Sequence, residues 1–254
     1  MLENSDRTWL PEMGETWQKT LSWQPNPAQQ ILFQRLYELI CQGNQQLNLT
    51  RITDPMEFWE KHLWDSLVAL KKWGIGNGES GMGIRNCRVI DIGTGAGFPG
   101  IPIGIIQPNW QVTLLDSTRK KIAFLETLVE NLDIKNVTAL CDRAEKIGQQ
   151  SQHRESYDLA LIRAVGTASE CAEYALPLLK IGGLAILYRG QWTEDETTAL
   201  RSPVTQLGGI IESVEKFTTP ITNSIRHCLY IKKIASTPAK FPRPVGIPTQ
   251  KPLQ

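Results

Sequence analysis

Four glycines crowd one short stretch of the chain, VIDIGTGAGFPG at residues 89–100, and Asp91 lies just ahead of them. A glycine-rich turn at the end of a strand lets a ligand approach the backbone closely, because no side chain intervenes. Dinucleotides use such a turn to hold a pyrophosphate at a helix N-terminus, whereas S-adenosylmethionine (SAM) has no phosphate to place there. The stretch therefore predicts a site for a nucleotide or a nucleoside-like cofactor.

The surroundings of the glycines favour SAM. Three of them, Gly95, Gly97 and Gly100, satisfy the dinucleotide pattern G-x-G-x-x-G. Pro99, however, removes a backbone donor that a phosphate would use, and an acid beside a pyrophosphate would repel it. The alternative pattern D-x-G-x-G-x-G joins Asp91, Gly93, Gly95 and Gly97. Because SAM carries cationic ammonium and sulfonium groups, an acid beside it is favourable. We predict a SAM-binding loop, with a purely structural turn as the alternative.

Acidic residues also follow the next two apolar runs of the chain. The sequence LLDS places Asp116 25 positions after Asp91, a spacing at which a carboxylate pairs with ribose hydroxyls. The run VTALC leads into DRAE, where the backbone groups of Ala144 and Glu145 could hydrogen-bond the edge of an adenine. The charge of Glu145 would alternatively stabilise a helix N-terminus. These acids support nucleoside binding without choosing between the two cofactor classes.

Alternating strands and helices must position these residues. Five apolar runs are predicted strands: residues 89–92, 111–115, 137–140, 157–162 and 184–188. Helical stretches such as residues 118–132 lie between them, which indicates a parallel sheet with helices on both sides. Two later runs, residues 209–217 and 227–234, leave no room for a helix between them. They predict an antiparallel hairpin at one edge of the sheet.

The remaining segments differ in character from the sheet region. Residues 1–73 are predicted to form a helical subdomain, in which residues 27–41 have helical periodicity and Asp54-Pro55 has the pattern of a helix start. Residues 74–87 are a glycine-rich connector, and residues 88–234 are the α/β domain. Residues 235–254 form a basic, proline-rich tail that we expect to be extended.

The composition excludes several classes of protein. Hydrophobic residues make up 41% and charged residues 21% of the 254 residues, which allows a large core. The net charge of +1 means that any nucleic-acid footprint must be local. No apolar run could span a bilayer, and the N-terminus does not resemble a secretory signal. Five scattered cysteines without a CxxC pair suggest neither a disulfide framework nor a metal site, so we expect a cytoplasmic protein.

Motifs over most of the chain resemble one family. The run VIDIGTGAGFPGIPIGIIQPNWQVTLLDSTRKKIAFL is similar to the ribosomal RNA small-subunit methyltransferase G family, also called glucose-inhibited division protein B. The segment NLTRITDPMEFWEKHLWDS at residues 48–66 resembles the helical segment that precedes the catalytic domain of that family. The later motifs DRAEKI, IRAVG and LYRGQ and the tail FPRPVGIPTQKPL extend the match to residue 252.

The resemblance implies a fold, a cofactor and a reaction. The fold is that of class I SAM-dependent methyltransferases, a Rossmann-like, mostly parallel sheet of seven strands preceded by a helical cap. The reaction is methyl transfer from SAM to N7 of one guanine in the decoding-centre loop of 16S rRNA, as naked RNA or in a small-subunit particle. Family cofactor contacts correspond to Gly93, Phe98, Asp116, Ser117, Thr118, Ala144, Glu145 and Arg163. Arg189 stands where the family usually has lysine, so a planar guanidinium group replaces a compact ammonium group of the same charge.

The chemistry agrees with this reaction mainly through what is missing. Methylation of a pyrimidine carbon needs a cysteine nucleophile, and Cys171 lies eight residues beyond Arg163, within a predicted helix. The sequence IRAVG replaces the Asn/Asp-Pro-Pro-aromatic loop typical of amino-group methylation. Guanine N7 has a free lone pair in the neutral base, so no proton has to leave. We therefore expect no catalytic base and no metal, and an enzyme that aligns its reactants.

Arginines are the candidate contacts to RNA. Arg143, Arg163 and Arg189 follow the third, fourth and fifth predicted strands and should meet at one rim of the sheet. Guanidinium groups can bind phosphate or guanine O6, although surface ion pairs are the alternative for each. His62 and Asp65 could face the cofactor mouth or pair on a helix surface.

Aromatic residues allow two interpretations as well. Phe98 could contact the cofactor, stack on a base or pack in the core. Trp9, Trp17 and Trp23 are predicted to pack rather than to stack on bases.

Other functions stay open at this point. One is a SAM-dependent methyltransferase that acts on a small molecule or a protein, another is a nicotinamide-dependent oxidoreductase, and a third is a non-catalytic RNA-binding protein. The basic tail favours an RNA partner, 16S rRNA or a small-subunit assembly intermediate. We expect a monomer without membrane association.

Overall fold

A seven-stranded sheet forms the centre of the computed structural model, which describes residues 8–75 and 86–254. Its strands are β1 Arg88–Ile92, β2 Gln111–Asp116, β3 Val137–Cys141, β4 Tyr157–Arg163, β5 Leu179–Arg189, β6 Gly209–Thr218 and β7 Ile225–Lys233. Their order is β3-β2-β1-β4-β5-β7-β6. β1 to β5 pair in parallel, and β7 is antiparallel to both β5 and β6. The predicted parallel sheet with an antiparallel edge hairpin is confirmed.

Burial on both faces explains why the central strands have continuous apolar runs. In β1 the four residues after Arg88 are all buried, as expected for a strand covered by helices on both sides. The predicted strand ends are accurate to within two residues except at β5, which begins at Leu179 instead of residue 184. The pairing of β4 with β5 shifts register near its start, and Gly182 and Gly183 in that stretch obscure the strand pattern.

Helices cover the two faces and enclose separate cores. The α-helices between β1 and β6 are α5 Gly100–Ile106, α6 Arg119–Leu132, α7 Ala144–Ile147, α8 Ala168–Ala175 and α9 Glu194–Gln206. Side chains of α5 and α6 pack with one sheet face, and those of α8 and α9 pack with the other. Within residues 8–75 and 86–254, no helix has both the length and the apolar character needed to cross a bilayer.

The N-terminal helices cover the α5 and α6 side of the sheet and share its core. They are α1 Gly14–Leu21, α2 Pro27–Leu47, α3 Pro55–Phe58 and α4 Asp65–Leu67. α2 begins with a capping box between Asn26 and Gln29 and runs six residues beyond the predicted end. Asp54 caps α3 by accepting from the Glu57 N–H at 3.0 Å, which confirms the predicted helix start.

A π-helical turn interrupts the segment that follows Asp54. Residues Trp59–Trp64 form this turn between α3 and α4, and the 3-10 turn Val68–Trp73 ends the segment. A π-turn inserts an extra residue into a helix and is frequent at functional sites. Helical periodicity did not predict it. The predicted connector at 74–87 lies largely outside the described residues, since 76–85 are not described.

The tryptophans near the N-terminus differ in how deeply they are buried. Trp17 is buried and contacts Trp23 and Trp59 edge to face, with ring centroids 5.7 and 4.6 Å apart, as expected for packing residues. Trp9 is 61% exposed and lines a groove between the N-terminal segment and α2, so it is less buried than a core residue.

The C-terminal tail is folded onto the domain. The Arg154 guanidinium donates to the carbonyls of Thr237, Phe241 and Gly148 at 2.7 to 3.0 Å. The Arg243 guanidinium is bound by the carboxylate of Glu173, which is completely buried, with an Nη2–Oε2 distance of 2.6 Å. The short helix α10, Ile247–Gln250, then lies beside α8. The expected extended tail is therefore wrong, because these buried polar partners hold it down.

Candidate functional site

The glycine loop leaves β1 in a conformation that only glycine adopts easily. Gly93 and Gly97 have φ values of +70° and +96°, in the left-handed region. A Cβ atom on Gly93 would lie 2.4 Å from Val165 Cγ2, and one on Gly97 would lie 2.4 Å from Ile101 Cδ1. Both positions therefore require glycine for conformation and for space. The loop is held against the turn after β4 and the first turn of α5.

Asp91 braces this loop from inside. Its Oδ2 accepts from Thr94 Oγ1 at 2.6 Å and from the Gly100 N–H at 2.8 Å, while Oδ1 has no partner in the described part of the chain. Burial raises the pKa of the Asp91 carboxyl to about 6. Asp91 is 0% exposed and lines neither of the clefts described below. Direct contact with a cationic ligand, as the sequence suggested, would require the loop to move.

A cleft of about 310 Å³ opens at the carboxyl ends of β1 to β4. Its lining includes Gly93, Asp116, Ser117, Arg143, Ala144 and Glu145. Asp116 Oδ2 accepts from the Gly95 N–H at 3.2 Å, and its Oδ1 accepts from the Thr118 N–H at 2.8 Å. Asp116 thus joins the glycine loop to the start of α6 and presents its carboxylate at the cleft.

The opposite wall of this cleft comes from α7, α8 and the C-terminal tail. Glu145 accepts from Arg143 Nη2 and from the Gly246 N–H, each at 3.0 Å. Burial alone would raise the pKa of its carboxyl, but these donors outweigh burial and bring the pKa below its ordinary value. Tyr174 and Thr249 complete the wall, with their hydroxyl oxygens 3.3 Å apart. The tail therefore belongs to the cleft, a role that its basic and proline-rich composition did not indicate.

The residues of this cleft fit SAM. Its volume lies in the range of small-molecule sites, and a carboxylate lies at the end of β2, where ribose hydroxyls bind in this type of sheet. Thr118 and Gly95 contribute through their bonds to Asp116. Of the predicted cofactor contacts, six do not line the cleft: Asp91, Gly95, Gly97, Phe98, Thr118 and Arg163. Their contact with the cofactor stays a prediction.

A second cleft of about 250 Å³ lies beside the first. It is lined by Asp65, Arg163, Ala164, Tyr188, Arg189, Gly190, Arg226, His227 and Cys228. Ala164, with φ +56°, adopts a conformation that is costly for a residue other than glycine. It turns the chain between Arg163, on the second cleft, and Val165, on the first. The two clefts therefore share the turn that follows β4.

The three predicted arginines are divided between these clefts. Arg163 and Arg189 line the second cleft, whereas Arg143 lines the first and binds Glu145. All three follow their strands at the same edge of the sheet, as predicted, but they do not form one group. Sequence reasoning missed Arg226 and His227. They are the second and third residues of β7, and the antiparallel direction of β7 sets His227 opposite Arg189. The predicted antiparallel hairpin could have indicated them, because the start of an antiparallel strand lies beside the end of its parallel neighbour.

Arg163 connects the second cleft to the N-terminal helices. Its Nη1 donates to the Lys61 carbonyl in the π-turn at 2.9 Å and to Asp65 Oδ2 at 3.0 Å. Its guanidinium carbon lies 5.7 Å from the ring centre of Phe98. Asp65 also pairs with Arg226, with an Nε–Oδ1 distance of 3.3 Å. Asp65 therefore faces the second cleft rather than forming a surface pair with His62.

His62 packs on the glycine loop instead. Its ring stacks on Phe98, and a ring nitrogen, Nε2, lies 2.9 Å from Thr50 Oγ1. Burial, with added repulsion from Arg163 and Lys61, lowers the pKa of the imidazole to about 3. His62 is therefore neutral at physiological pH. Phe98 is buried between His62, Phe58 and Arg163, so core packing is the role that its contacts show.

Two buried thiols near the clefts, Cys171 and Cys228, are poorly suited to act as nucleophiles. Burial raises the pKa of Cys171 to about 11 and raises the pKa of Cys228 well above its usual range. Cys171 lies in α8, where its Sγ donates to the Val165 carbonyl and accepts from Arg189 Nη2 at 3.1 Å. Since a thiolate is the reactive form, neither group is suited to covalent catalysis.

Known proteins share both sequence and fold with this chain. The family model described as rRNA small subunit methyltransferase G matches residues 29–228. A ribosomal RNA small subunit methyltransferase G of Trichormus variabilis is 64% identical over 96% of this chain and 98% of its own length. The protein of the same name from Trichodesmium erythraeum is 55% identical over 96% of this chain and 94% of its own length.

A solved structure confirms the architecture at low sequence identity. A SAM-dependent methyltransferase from Aquifex aeolicus superposes with a TM-score of 0.54 and 18% identity, covering 74% of this chain and 97% of its own. The fold is thus that of class I SAM-dependent methyltransferases. Together with the family match over residues 29–228, these findings show that the chain belongs to the rRNA small subunit methyltransferase G family.

Proposed function

We propose that this protein transfers the methyl group of SAM to N7 of a guanine in the decoding-centre loop of 16S rRNA. The observation that carries the proposal is the pair of clefts that meet at the turn after β4. One is suited to SAM and the other is lined by arginines. Relatives that are up to 64% identical have the name ribosomal RNA small subunit methyltransferase G, which supports rRNA as the substrate.

The side chains around the second cleft support N7 as the acceptor atom. Guanine N7 needs no proton removed, so the reaction does not require a base among the side chains of this cleft. Asp65, the carboxylate among its lining residues, is bound by both Arg163 and Arg226. When bound, SAM supplies an electrophilic methyl group. The protein then has to align N7 with that methyl group, and alignment alone can accelerate a reaction greatly.

Each group of residues has a role in this proposal. Asp116 binds the ribose hydroxyls of SAM, and the backbone at Ala144 and Glu145 reads its adenine edge. Arg163 and Arg189 bind guanine O6 or a phosphate, since a donor on N7 would block the reaction. We propose that the enzyme acts in the cytoplasm and as a monomer. Sedimentation of the free protein would test its oligomeric state.

Methyl transfer from labelled SAM to small subunits that lack the modification tests the function. The modified nucleotide is then identified by mass, and methylguanine at one decoding-loop position is the expected product. Arg163→Ala should lose transfer while its thermal melting stays cooperative. Arg201→Ala is the matched control, because Arg201 is exposed on α9 and lines neither cleft.

Two results would redirect the assignment. SAM binding without RNA labelling would favour a small molecule or a protein as the substrate. Thermal stabilisation by NAD but not by SAM would favour an oxidoreductase.

A further inference from the structure

Positive charge is in excess in the second cleft. Its lining contains the guanidinium groups of Arg163, Arg189 and Arg226, and Asp65 is the one carboxylate among the lining residues. Neutral guanine needs hydrogen-bond donors but no net charge, whereas a phosphate carries a full negative charge. Bidentate guanidinium groups match phosphate oxygens closely. The charge balance therefore favours an anion in this cleft.

Asp65 fixes two of these arginines in one arrangement. Its Oδ2 accepts from Arg163 Nη1 at 3.0 Å, and its Oδ1 lies 3.3 Å from Arg226 Nε. Because both oxygens hold a guanidinium group, this carboxylate offsets at most one of the three positive charges in the cleft. Each guanidinium has five N–H donors, so both arginines keep donors beyond those that Asp65 engages.

Arg189 has a donor whose acceptor is absent from the described part of the chain. Its Nη1 donates to the Gly166 carbonyl at 2.9 Å and its Nη2 to Cys171 Sγ at 3.1 Å. These bonds hold the guanidinium in place, while its Nε is buried without a partner in the described ranges. Buried N–H groups are nearly always paired, so an unpaired one indicates a missing acceptor.

We propose that the second cleft is a subsite for one phosphate of the RNA backbone, bound by Arg226 and Arg189, with Asp65 as the positioning residue. This inference rests on the proposed function for the identity of the RNA, but the anion site itself does not. A phosphate held here would place the adjoining nucleotide next to the turn after β4, where the two clefts meet.

The first experiment tests the anion site without RNA. The Nε–H signals of ¹⁵N-arginine protein are followed by NMR as inorganic phosphate replaces chloride at constant ionic strength. We expect saturable shifts of the Arg189 and Arg226 signals, assigned with Arg189→Lys and Arg226→Gln, while Arg201 does not shift. Unchanged signals of both cleft arginines would overturn the phosphate subsite whatever the substrate proves to be.

The second experiment uses a fragment of 16S rRNA that contains the decoding loop. Arg226→Gln should bind it about tenfold more weakly, with the slope of log K against log salt reduced by about 0.7. Arg226→Lys should retain most of the slope, and Arg201→Gln should match wild type. An unchanged slope in Arg226→Gln, or an altered base preference at an unchanged slope, would contradict a phosphate contact.

The role of Asp65 needs a readout that a loss of stability would not produce. Asp65→Asn should lower RNA affinity, and adding Arg226→Gln to it should lower affinity little further, because both changes affect one contact. If the losses in RNA-binding free energy of the two single variants add in full in the double variant, Asp65 does not act by positioning Arg226. Failure of wild type to methylate small subunits that lack the modification, with phosphate shifts still present, would reject the proposed function and keep the anion site.

Discussion

The imidazole of His62 stacks on the ring of Phe98, with centroids 4.3 Å apart and planes 7° from parallel. His62 lies in the π-turn of the N-terminal segment, and Phe98 lies in the glycine loop. The same π-turn contributes the Lys61 carbonyl that accepts from Arg163. The N-terminal helices therefore hold both the loop of the first cleft and an arginine of the second.

Replacing Phe98 tests this connection. Phe98→Leu keeps an apolar side chain but removes the stack, so the free energy of unfolding should fall by about 1 to 2 kcal/mol. SAM affinity should fall as well, because the loop loses its support. Urea unfolding and calorimetric titration with SAM measure the two effects. Phe124→Leu, a half-buried phenylalanine on α6, is the control, and equal SAM affinities in the two variants would show that the stack does not act on the loop.

The lowered pKa of His62 predicts a loss of stability in acid. The folded state keeps His62 neutral down to a pKa of about 3, whereas the unfolded chain gains the proton near pH 6.5. The unfolded state thus binds more protons between these values, and stability present above pH 6.5 declines as the pH falls, by at most about 1.4 kcal/mol per pH unit. Urea unfolding of wild type and His62→Gln from pH 7.5 to 4 should show converging curves. Parallel curves would contradict the prediction.

Asp91 should show the opposite pH dependence. Its pKa is raised to about 6 in the folded state, above the ordinary value of 3.8. The folded state therefore binds more protons between these values, and the contribution of Asp91 to stability increases as the pH falls through 6. Asp91→Asn should remove this dependence and be at least as stable as wild type at pH 7.5.

The same variant distinguishes two roles for Asp91. Asn can still accept from Thr94 and Gly100, so a bracing role predicts a SAM dissociation constant within a few-fold of wild type. A direct contact with the cationic cofactor predicts a loss of more than about tenfold. Titration calorimetry at pH 7.5 decides between them.

Removing the ion pair in the tail should destabilise the protein and weaken SAM binding. Arg243→Leu leaves the completely buried Glu173 without its cation, and breaking a buried pair costs about 3 to 5 kcal/mol. SAM affinity should fall because Gly246 and Thr249 lie on the same tail. Lys251→Ala removes an exposed charge from the tail and should change neither property. Equal behaviour of the two variants would show that the tail does not support the cleft.

Periodicity and spacing were sufficient for most of the fold. The strands and the edge hairpin were predicted because short apolar runs bounded by turn residues are typical of the buried strands of an α/β sheet. The two acids after β1 and β2 were also expected, and Asp116 does line the cleft. The role of Asp91 differs because its spacing specifies only its place in the strand. Its burial and the hydrogen bond from the N–H of Gly100, nine residues later, direct its carboxylate into the glycine loop instead of the cleft.

The features that were missed depend on contacts between distant parts of the chain. The π-turn has no local signature, and its consequence, a carbonyl that binds Arg163, involves a residue about a hundred positions away. Arg226 is near the site only because β7 runs antiparallel to β5. The tail folds back because Glu173 and Glu145 need donors in their buried positions. Composition alone describes the charge of a segment but not the partner that neutralises it.

The contribution of Gly246 and Thr249 to the first cleft has a consequence for how that cleft is assembled. The glycine loop and Asp116 belong to the sheet, whereas the wall that faces them includes a segment more than a hundred residues further along the chain. Docking of that segment and completion of the cleft are therefore one event. By linkage, a ligand that touches both walls stabilises the docked segment, so occupancy of the cleft and order in the tail rise together.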